Sequence, residues 1–385
     1  MKRVSVVTGT RAEYGLLKAT ILKIRESPAL KLRLIVTGSH LSPNHGLTYK
    51  EIESDKIKID NKIELELTSD TPVSITKSMA LAMTGFAEEF EQNPADVLLL
   101  LGDRFETFAA ATAATIARLP VAHIHGGEST EGVIDEAFRH SITKMSHLHF
   151  VSTEEYRKRV IQLGENPDNV HVVGALGVAA LAKAELLDRK EIESRLNFRF
   201  GRNNLLVTYH PVTLETESAE TQILSLLKAL DCLQDVHCIF TMPNADTDSR
   251  IIAKLVEEYV LKRADRCISI ESLGQQLYFS CLEQVDGVLG NSSSGIIEAP
   301  SFGKGTINIG DRQKGRIKAA SVIDADADTT SILNALGELY SEQFQTSLQN
   351  VDNPYDHGDS CEKILDLITG TDFSKLLKKK FHDLN

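Results

Sequence analysis

Short apolar runs alternate with helix-like patterns along almost the whole chain. An unbroken apolar run such as VLLLL at 97–101 predicts a strand that is buried on both faces of a parallel sheet. Similar runs predict strands at 4–8, 32–37, 121–124, 148–151 and 170–173, and in the second half at 205–209, 238–241, 267–270, 287–289 and 306–309. This alternation predicts an α/β protein with parallel sheets.

Segments with apolar residues at helical spacing lie between the predicted strands. They predict helices at 16–25, 75–90, 108–119, 135–144, 154–163, 217–233, 249–261, 273–284 and 329–340, and two helical segments after 361. At 385 residues the chain exceeds the size at which a single core stops growing. We therefore predict two Rossmann-like domains, 1–174 and 175–360, that join near 174–190 and flank an active-site cleft. The C-terminal helices of 361–385 are expected to pack back on the N-terminal domain.

The composition argues against several classes of protein. A net charge of −12 at pH 7 argues against a nucleic-acid-binding protein, which would present a basic surface. No apolar stretch approaches the ~20 residues that cross a membrane, and the first residues enter a strand rather than a signal peptide, so we predict a cytoplasmic protein. The five cysteines are odd in number and lack CxxC spacing, which favours free thiols and argues against a metal site.

Candidate acid–base residues follow two strands of the first predicted sheet. Asp103 comes after strand 97–101 in the motif GDRFE. His125 and Glu128 come after strand 121–124 in HIHGGE, and Asp135 opens the next helix. Ligands of parallel sheets bind beyond the carboxyl ends of the strands, so these side chains should share one edge. Each has a structural explanation alone, such as a carboxylate at a helix start, but together they predict acid–base chemistry.

A serine-rich turn in the second half carries the residues expected of a diphosphate site. In GNSSSGIIEAP at 290–300, hydroxyl and N–H groups open a short helix; these come from Ser292, Ser293, Ser294 and Gly295. Glu298 lies one helical turn further, where its carboxylate could accept hydrogen bonds from a ribose diol. The alternative is an N-capping serine run with a solvated glutamate, although a single serine would suffice for a cap.

Three further residues lie just beyond predicted strands. Arg11 stands in GTRAE at 9–13, His210 in VTYHP at 207–211, and Arg312, with Arg316 as the alternative, in the basic loop GDRQKGR at 310–316. An arginine fork can bind a phosphate, and an imidazole can transfer a proton near neutral pH. A surface ion pair, a structural histidine and a solvated charge cluster are the alternatives. No GxGxxG motif occurs, which argues against a nicotinamide dehydrogenase.

The motifs together resemble one enzyme family. GTRAEYG, LLLLGDRFET, AHIHGGESTEGVIDEAFRHSITKMSHLHF, VTYHPVT, GNSSSGIIEAP and GDRQKGR are similar to the hydrolysing UDP-N-acetylglucosamine 2-epimerases of sialic acid synthesis. The resemblance spans nearly the whole chain and implies the GT-B arrangement of two Rossmann-like domains. It implies that UDP-N-acetylglucosamine and water become N-acetylmannosamine and UDP, through C2 deprotonation, expulsion of UDP to a 2-acetamidoglucal, and hydration. No metal or nicotinamide cofactor is implied.

The resemblance also implies roles for the candidate residues. It assigns proton transfer to Asp103, Glu128, Asp135 and His210, and leaves open which of them removes the C2 proton. It assigns the UDP-sugar to the remaining set, with Glu298 on the ribose: Arg11, His125, Ser292, Ser293, Ser294, Gly295, Glu298 and Arg312. Non-hydrolysing relatives carry glutamate where this chain has His125, so the role of that residue stays open.

Other activities remain open at this stage. Similar enzymes hydrolyse UDP-2,4-diacetamido-2,4,6-trideoxy sugars on the way to legionaminic acid, and loops at 39–47 and 208–217 would build the pocket that distinguishes the two sugars. A glycosyltransferase of the same architecture would need an acceptor site, and a non-catalytic sensor would bind sugar nucleotide without turnover. The resemblance further implies a homodimer or homotetramer.

Overall fold

A computed structural model describes residues 1–66, 69, 71–212, 219–243 and 249–384. Its strands are β1 Lys2–Thr8, β2 Leu30–Thr37, β3 Asn61–Ile63, β4 Val97–Leu101, β5 Val121–Ile124, β6 Leu148–Val151, β7 Val170–Val172, β8 Asn203–Thr208, β9 Val236–Thr241, β10 Cys267–Ile270, β11 Gly287–Gly290, β12 Gly305–Ile309 and β13 Val322–Ala325.

Helices connect or follow these strands. They are α1 Arg11–Glu26, α2 Tyr49–Ser54, α3 Pro72–Gln92, α4 Phe105–Ile116, α5 Asp135–Met145, α6 Glu154–Gln162, α7 Leu176–Leu181, α8 Arg189–Leu196, α9 Ala219–Asp231, α10 Ser249–Leu261, α11 Gly274–Gln284, α12 Ser294–Ile297, α13 Thr329–Leu339, α14 Glu342–Ser347 and α15 Ser360–Gly370. The predicted helix 217–233 begins at residues outside the described ranges.

The strands form two parallel sheets with the order of a Rossmann-like fold. The first sheet has the order β3-β2-β1-β4-β5-β6-β7, and the second has the order β10-β9-β8-β11-β12-β13. Every paired strand runs parallel to its neighbour. In both sheets the order reverses beside the first strand of the set, which is the switch point where ligands of such sheets bind. The predicted fold class is confirmed.

The chain divides into two units that do not follow a single cut in the sequence. The first unit comprises Met1–Glu128, Ile134–Ala180 and Tyr355–Asn385, and the second comprises Ser129–Val133 and Leu181–Pro354. The short segment Ser129–Val133 therefore belongs to the second unit although both of its neighbours belong to the first. The domain boundaries at 174/175 and 360/361 stay a prediction about which parts fold independently.

Alternating side chains of the strands build the cores. In β4, Leu99 and Leu101 join the apolar cluster that α1 and α15 cover, while Leu98 and Leu100 join the cluster that α3 and α4 cover. Burial on both faces explains why this strand is apolar without interruption. The second unit has its own apolar cluster around β8, β9 and β12.

The observed elements differ from the predicted ones in several places; helices α2 and α14, for example, were not predicted. The edge strands β3 (NKI) and β13 (VIDA) were not predicted, because they are short and half polar. Helix α1 begins five residues before the predicted start, since Thr10 and Glu13 form a capping box. The predicted crossing segment 174–190 contains the short helix α7 and the first two residues of α8, and the second C-terminal helical segment is a 3-10 turn at Phe373–Lys375.

Candidate active site

Asp103 lies in the turn that follows β4 in the first unit. Gly102 before it has φ +77°, a left-handed conformation that glycine adopts without strain. The carbonyl of Gly102 accepts a hydrogen bond from Nε2 of His123 at 2.7 Å. Burial lowers the pKa of His123 to about 3, so the ring is neutral and donates from this nitrogen. The buried imidazole therefore fixes the backbone just before the Asp103 carboxylate.

Arg139 of α5 connects the two turns that carry candidate acid–base residues. Its side chain is almost fully buried, with a residue exposure of 1%. One Nη atom forms an ion pair with Asp103, and the other donates to the backbone carbonyl of Glu128 at 3.1 Å and to Oε2 of Glu136 at 2.5 Å. A guanidinium can hold several acceptors in a fixed plane, so Asp103 and the Glu128 backbone have a defined mutual position.

The turn after β5 places His125 beside Glu128. Nδ1 of His125 lies 3.6 Å from Oε1 of Glu128, and both residues are buried. The same Oε1 accepts a hydrogen bond from the hydroxyl of Ser152, at the end of β6, at 3.0 Å. Asp135 is half-buried at the first position of α5, one residue before Glu136. The sequence-predicted residues Asp103, His125 and Glu128 are thus brought together in the first unit.

The turn after β1 differs from the expected phosphate cradle. Oε2 of Glu13 accepts the N–H groups of Gly9 at 2.7 Å and Thr10 at 3.1 Å. Burial and, to a smaller extent, the neighbouring Glu106 raise the pKa of Glu13 to about 7. An anion could bind these two N–H groups only by displacing Glu13.

In the second unit, Asn291 joins the turn after β8 to the loop after β12. Its side chain is fully buried; Oδ1 accepts the N–H of His210 at 2.7 Å, and Nδ2 donates to the carbonyl of His210 at 2.7 Å. Its backbone carbonyl accepts hydrogen bonds from Nη1 of Arg312 at 3.0 Å and Nε2 of Gln313 at 2.9 Å. The predicted residues His210 and Arg312 are therefore held by one asparagine.

The serine-rich turn follows this asparagine directly. Gly290 has φ +135°, and a Cβ there would lie 1.9 Å from the carbonyl oxygen of Thr208, so no other residue fits. Ser293 is the N-cap residue of the four-residue helix α12, and its carbonyl and that of Ser294 accept the first hydrogen bonds. Ser292, Ser293 and Ser294 are half-buried, whereas Gly295 and Glu298 are buried, with Glu298 ending the helix.

The segment Ser129–Val133 packs within the second unit against the loop that carries Arg312. The N–H of Glu131 donates to the carbonyl of Lys314 at 3.0 Å. A Cβ on Gly132 would lie 2.8 Å from the carbonyl oxygen of Asp311, so glycine permits this close approach. The chain thus leaves the first unit directly after Glu128 and re-enters it one residue before Asp135.

Comparison with known proteins identifies the family. The sequence model of the family described as UDP-N-acetylglucosamine 2-epimerase matches residues 22–369. The chain belongs to this family. It is 40% identical over 384 residues to a hydrolysing GDP/UDP-N,N'-diacetylbacillosamine 2-epimerase of Campylobacter jejuni, spanning 100% of this chain and 99% of that one. It is 40% identical over 385 residues to the polysialic acid biosynthesis protein P7 of Escherichia coli, spanning 100% and 97%.

A third relative carries the same hydrolysing activity in its name. The UDP-N,N'-diacetylbacillosamine 2-epimerase (hydrolysing) of Legionella pneumophila is 37% identical over 342 residues, which span 89% of this chain and 90% of the relative. The chain is therefore an enzyme of the hydrolysing UDP-sugar 2-epimerase type, which confirms the family and the class of activity expected from the sequence motifs.

Solved structures match the fold over its full length. The S. aureus MnaA–UDP co-structure superposes with a TM-score of 0.80 at 19% identity and covers 100% of both chains. UDP-GlcNAc 2-epimerase from Neisseria meningitidis bound to UDP-GlcNAc superposes with a TM-score of 0.78 at 20% identity, covering 96% of this chain and 100% of that one. The two Rossmann-like domains of the GT-B type are thereby confirmed.

Four residues that hold the site were absent from the sequence-predicted set: His123, Arg139, Ser152 and Asn291. All four are buried, and three of them lie inside the motifs that were singled out. The signal for Arg139 was its place one helical turn after Asp135 and Glu136, where an arginine on the same face meets acidic side chains. The other three act through the backbone or through a long-range contact, which a sequence pattern does not reveal.

No helix in the described ranges is long and apolar enough to cross a membrane. Within the same ranges, no group of three or more histidine, cysteine, aspartate or glutamate side chains is arranged to hold a metal ion.

Proposed function

We propose that this enzyme converts UDP-N-acetylglucosamine and water to N-acetylmannosamine and UDP. A carboxylate removes the proton from C2, the C1–O bond breaks with both electrons leaving on UDP, and a C1–C2 double bond forms. Water then adds its oxygen to C1 while C2 receives a proton on the opposite face. The observation that carries the proposal is the placement of two candidate acids at the ligand edge of the first sheet, where Arg139 pairs with the Asp103 carboxylate and donates to the backbone carbonyl of Glu128.

The proton-transfer roles are proposed for Asp103, Glu128, Asp135 and His210. Elimination and hydration each need a base and an acid, and neighbouring ionisable groups with different surroundings can divide these duties. Three of the four are carboxylates of the first unit and one is an imidazole of the second. Neither step requires a nicotinamide, because no electrons are transferred to an acceptor.

UDP is proposed to bind the serine-rich turn and the arginines. Ser292, Ser293, Ser294 and Gly295 would donate to the diphosphate, Glu298 would accept from the ribose, and Arg11 and Arg312 would stabilise the negative charge of the leaving group. Support comes from the hydrogen bonds through which Asn291 holds both His210 and Arg312 next to this turn.

The second candidate substrate is a UDP-2,4-diacetamido-2,4,6-trideoxy sugar. The names of the relatives from C. jejuni and L. pneumophila favour it, whereas a further relative of N. meningitidis serogroup B, 30% identical, is named a UDP-N-acetylglucosamine 2-epimerase. Of the two loops expected to contact C4 and C6, the first forms two 3-10 turns at Gly38–Leu41 and Pro43–His45, and the second includes 213–217, which lie outside the described residues.

Proton NMR in deuterium oxide tests the proposal. The purified enzyme is incubated separately with each sugar nucleotide, and with the Asp103→Asn variant as a control. UDP-N-acetylglucosamine should yield UDP and N-acetylmannosamine that carries deuterium at C2. Turnover of the diacetamido sugar alone would replace the first substrate by the second. UDP-N-acetylmannosamine in equilibrium with the substrate would refute hydrolysis, and UDP release only on addition of an acceptor would indicate a glycosyltransferase.

We also propose that the protein is cytoplasmic and, as the resemblance implies, a homodimer or homotetramer. Light scattering on the purified protein measures the mass of the assembly. A mass equal to that of one chain would contradict the oligomer.

A further inference from the structure

The ring of His125 makes contacts that differ at its two nitrogens. Nε2 accepts a hydrogen bond from the backbone N–H of Leu176 at 3.2 Å. Nδ1 faces Oε1 of Glu128 at 3.6 Å. The backbone N–H of His125 donates to the carbonyl of Phe150 at 2.8 Å, so both the backbone and the ring of this residue are held in place.

The donor at Leu176 decides which ring nitrogen carries the proton. A backbone N–H can bond only to a ring nitrogen that has a lone pair, so Nε2 is unprotonated. The proton of the neutral ring is therefore on Nδ1, the nitrogen that faces the Glu128 carboxylate. Protonation of Nε2 would break the bond from Leu176 and set two N–H groups against each other in a buried place, because His125 is only 8% exposed.

The Glu128 carboxylate is surrounded by groups that fix it. Its Oε1 accepts from the hydroxyl of Ser152 at 3.0 Å and faces the Nδ1–H of His125. A separation of 3.6 Å is longer than a hydrogen bond, but the N–H dipole still attracts the carboxylate. The distance between the two groups can shorten to a hydrogen bond when a substrate binds. The backbone of the same residue is held by Arg139, so side chain and main chain are positioned separately.

His125 also adopts a backbone conformation that side chains disfavour. Its φ is +64°, in the left-handed region, where a residue with a Cβ loses about 1 kcal/mol relative to the ordinary helical region. Glycine would adopt this conformation without that cost, and two glycines follow directly. Strain of this type at the ligand edge of a sheet indicates that the imidazole has a use there.

We infer that His125 is a neutral positioning residue that orients the Glu128 carboxylate, and that it neither transfers a proton nor binds UDP. The inference rests on the proposed function, in which Glu128 transfers a proton. Ser152 also orients this carboxylate, through the hydrogen bond from its hydroxyl to Oε1 of Glu128. Of these two neighbours, Glu128 is then the one that transfers a proton, while the imidazole keeps one tautomer throughout the cycle.

Two amide variants test the contacts of the two ring nitrogens separately. In His125→Asn the amide reaches the place of Nδ1 and can still donate toward Glu128. In His125→Gln the amide reaches the place of Nε2 and can still accept from Leu176, but no donor faces Glu128. We expect His125→Gln to lower kcat by about 10- to 100-fold with KM little changed, since a displacement of about 1 Å of a reacting group can cost about 100-fold. His125→Asn should retain a clearly larger share of kcat.

Equal and near-complete loss of kcat in both variants would overturn the inference, because neither amide can exchange a proton and a true acid or base would be lost in each. A double-mutant cycle with Glu128→Gln adds a second criterion. His125→Gln should cost little more once Glu128 has been replaced, and a fully additive loss would overturn the role through Glu128.

The tautomer itself is measured without turnover. A ¹⁵N spectrum of the wild-type protein labelled at its 12 histidines, with His125 assigned by the signal missing in His125→Asn, should show a protonated Nδ1 and an unprotonated Nε2. A proton on Nε2 would overturn the inference even if the variants fail to fold. If the wild type hydrolyses neither sugar nucleotide, the proposed function fails, while the spectrum still reports whether the ring is fixed as described.

Discussion

Replacement of Asn291 tests whether one buried amide positions the candidate residue His210 in the second unit. In Asn291→Ala the N–H and the carbonyl of His210 both lose their side-chain partner, and the two bonds that are lost are each 2.7 Å long. The bonds from Arg312 and Gln313 end on the backbone carbonyl of residue 291 and survive the substitution. The effect of releasing His210 can therefore be measured while Arg312 keeps its contact.

The expected magnitude follows from the burial of these groups. A buried donor or acceptor that loses its partner costs about 1–3 kcal/mol, so two such groups lower the free energy of unfolding by about 2–6 kcal/mol. Asn291→Asp retains the acceptor for the His210 N–H but sets a carboxylate oxygen against the His210 carbonyl, and about 1–3 kcal/mol should be lost. Since His210 loses its position while Arg312 does not, kcat should fall more than the affinity for UDP.

Asn204 provides a matched control in the same unit. It is also buried, its Oδ1 accepts from the N–H of Gly201 at 2.8 Å, and its Nδ2 donates to the carbonyl of Gly201 at 3.3 Å. It lies near the start of β8, at the opposite end of the strand from His210. Asn204→Ala should lower stability while kcat stays near the wild-type value.

Three measurements decide the outcome: urea unfolding for stability, UDP release for kcat, and calorimetric titration with UDP for affinity. A change in unfolding free energy below about 0.5 kcal/mol for Asn291→Ala would refute the energetic argument, because that is the range of substitutions that break nothing. A loss of UDP affinity with unchanged kcat would refute the separation of His210 from Arg312.

Three further variants probe the first unit. Arg139→Lys should lower kcat by about 10- to 100-fold, because an ammonium lacks the planar fork whose two Nη atoms bind Asp103 and the Glu128 carbonyl in a fixed geometry, and wild-type turnover would contradict this. The pKa of Glu13 is raised from 4.5 to about 7 in the folded protein. The protonated carboxyl therefore contributes to the free energy of unfolding below about pH 4.5, and this contribution is lost as the pH rises to about 7. Urea unfolding should show Glu13→Gln becoming more stable relative to the wild type as the pH rises across this interval. Lys379→Met should lower the unfolding free energy by about 1–3 kcal/mol, since the ammonium pairs with the buried Glu165 at 2.7 Å.

Each of these variants has a control or a refuting result. Arg157→Lys removes a guanidinium that donates to backbone carbonyls beside the edge strand β7 and to the exposed carboxylate of Glu154, and kcat should not change. A difference between Glu13→Gln and the wild type that does not vary with pH would show that Glu13 does not titrate in this interval. Lys380→Met at the exposed neighbouring position should leave stability within about 0.5 kcal/mol of the wild type.

The sequence predicted an element correctly where the residues of that element alone indicate its burial. Strands β4, β5 and β6 have the predicted bounds. Burial on both faces favours apolar residues, and β4 is apolar without interruption while β5 and β6 are apolar except for one buried histidine each. The edge strands β3 and β13 were missed, since a strand with one free edge and few residues shows neither a long apolar run nor a clear alternation. The start of α1 was missed because its first turn is stabilised by a cap rather than by apolar side chains.

The candidate residues were predicted from their place after strands, while their supports were not. Asp103 and Glu128 follow strands that pair directly in the sheet, so topology alone brings them to one edge. Arg139 and Asn291 act through single hydrogen bonds across loops, and the spacing of residues in the sequence carries no record of such bonds. The occupation of the Gly9 and Thr10 N–H groups by Glu13 is another contact of this kind.

The sequence by itself determined the alternation of strands and helices, the two parallel sheets, the family, and the residue types available at the ligand edges. These depend on side-chain polarity and on motifs that are contiguous in the chain. Only the tertiary structure decided which nitrogen of His125 bears a proton, which carboxylate pairs with Arg139, and which asparagine holds His210. Those facts depend on atoms brought together from distant strands, where a shift of about 1 Å changes a partner, and the order of residues along the chain does not encode distances at that scale.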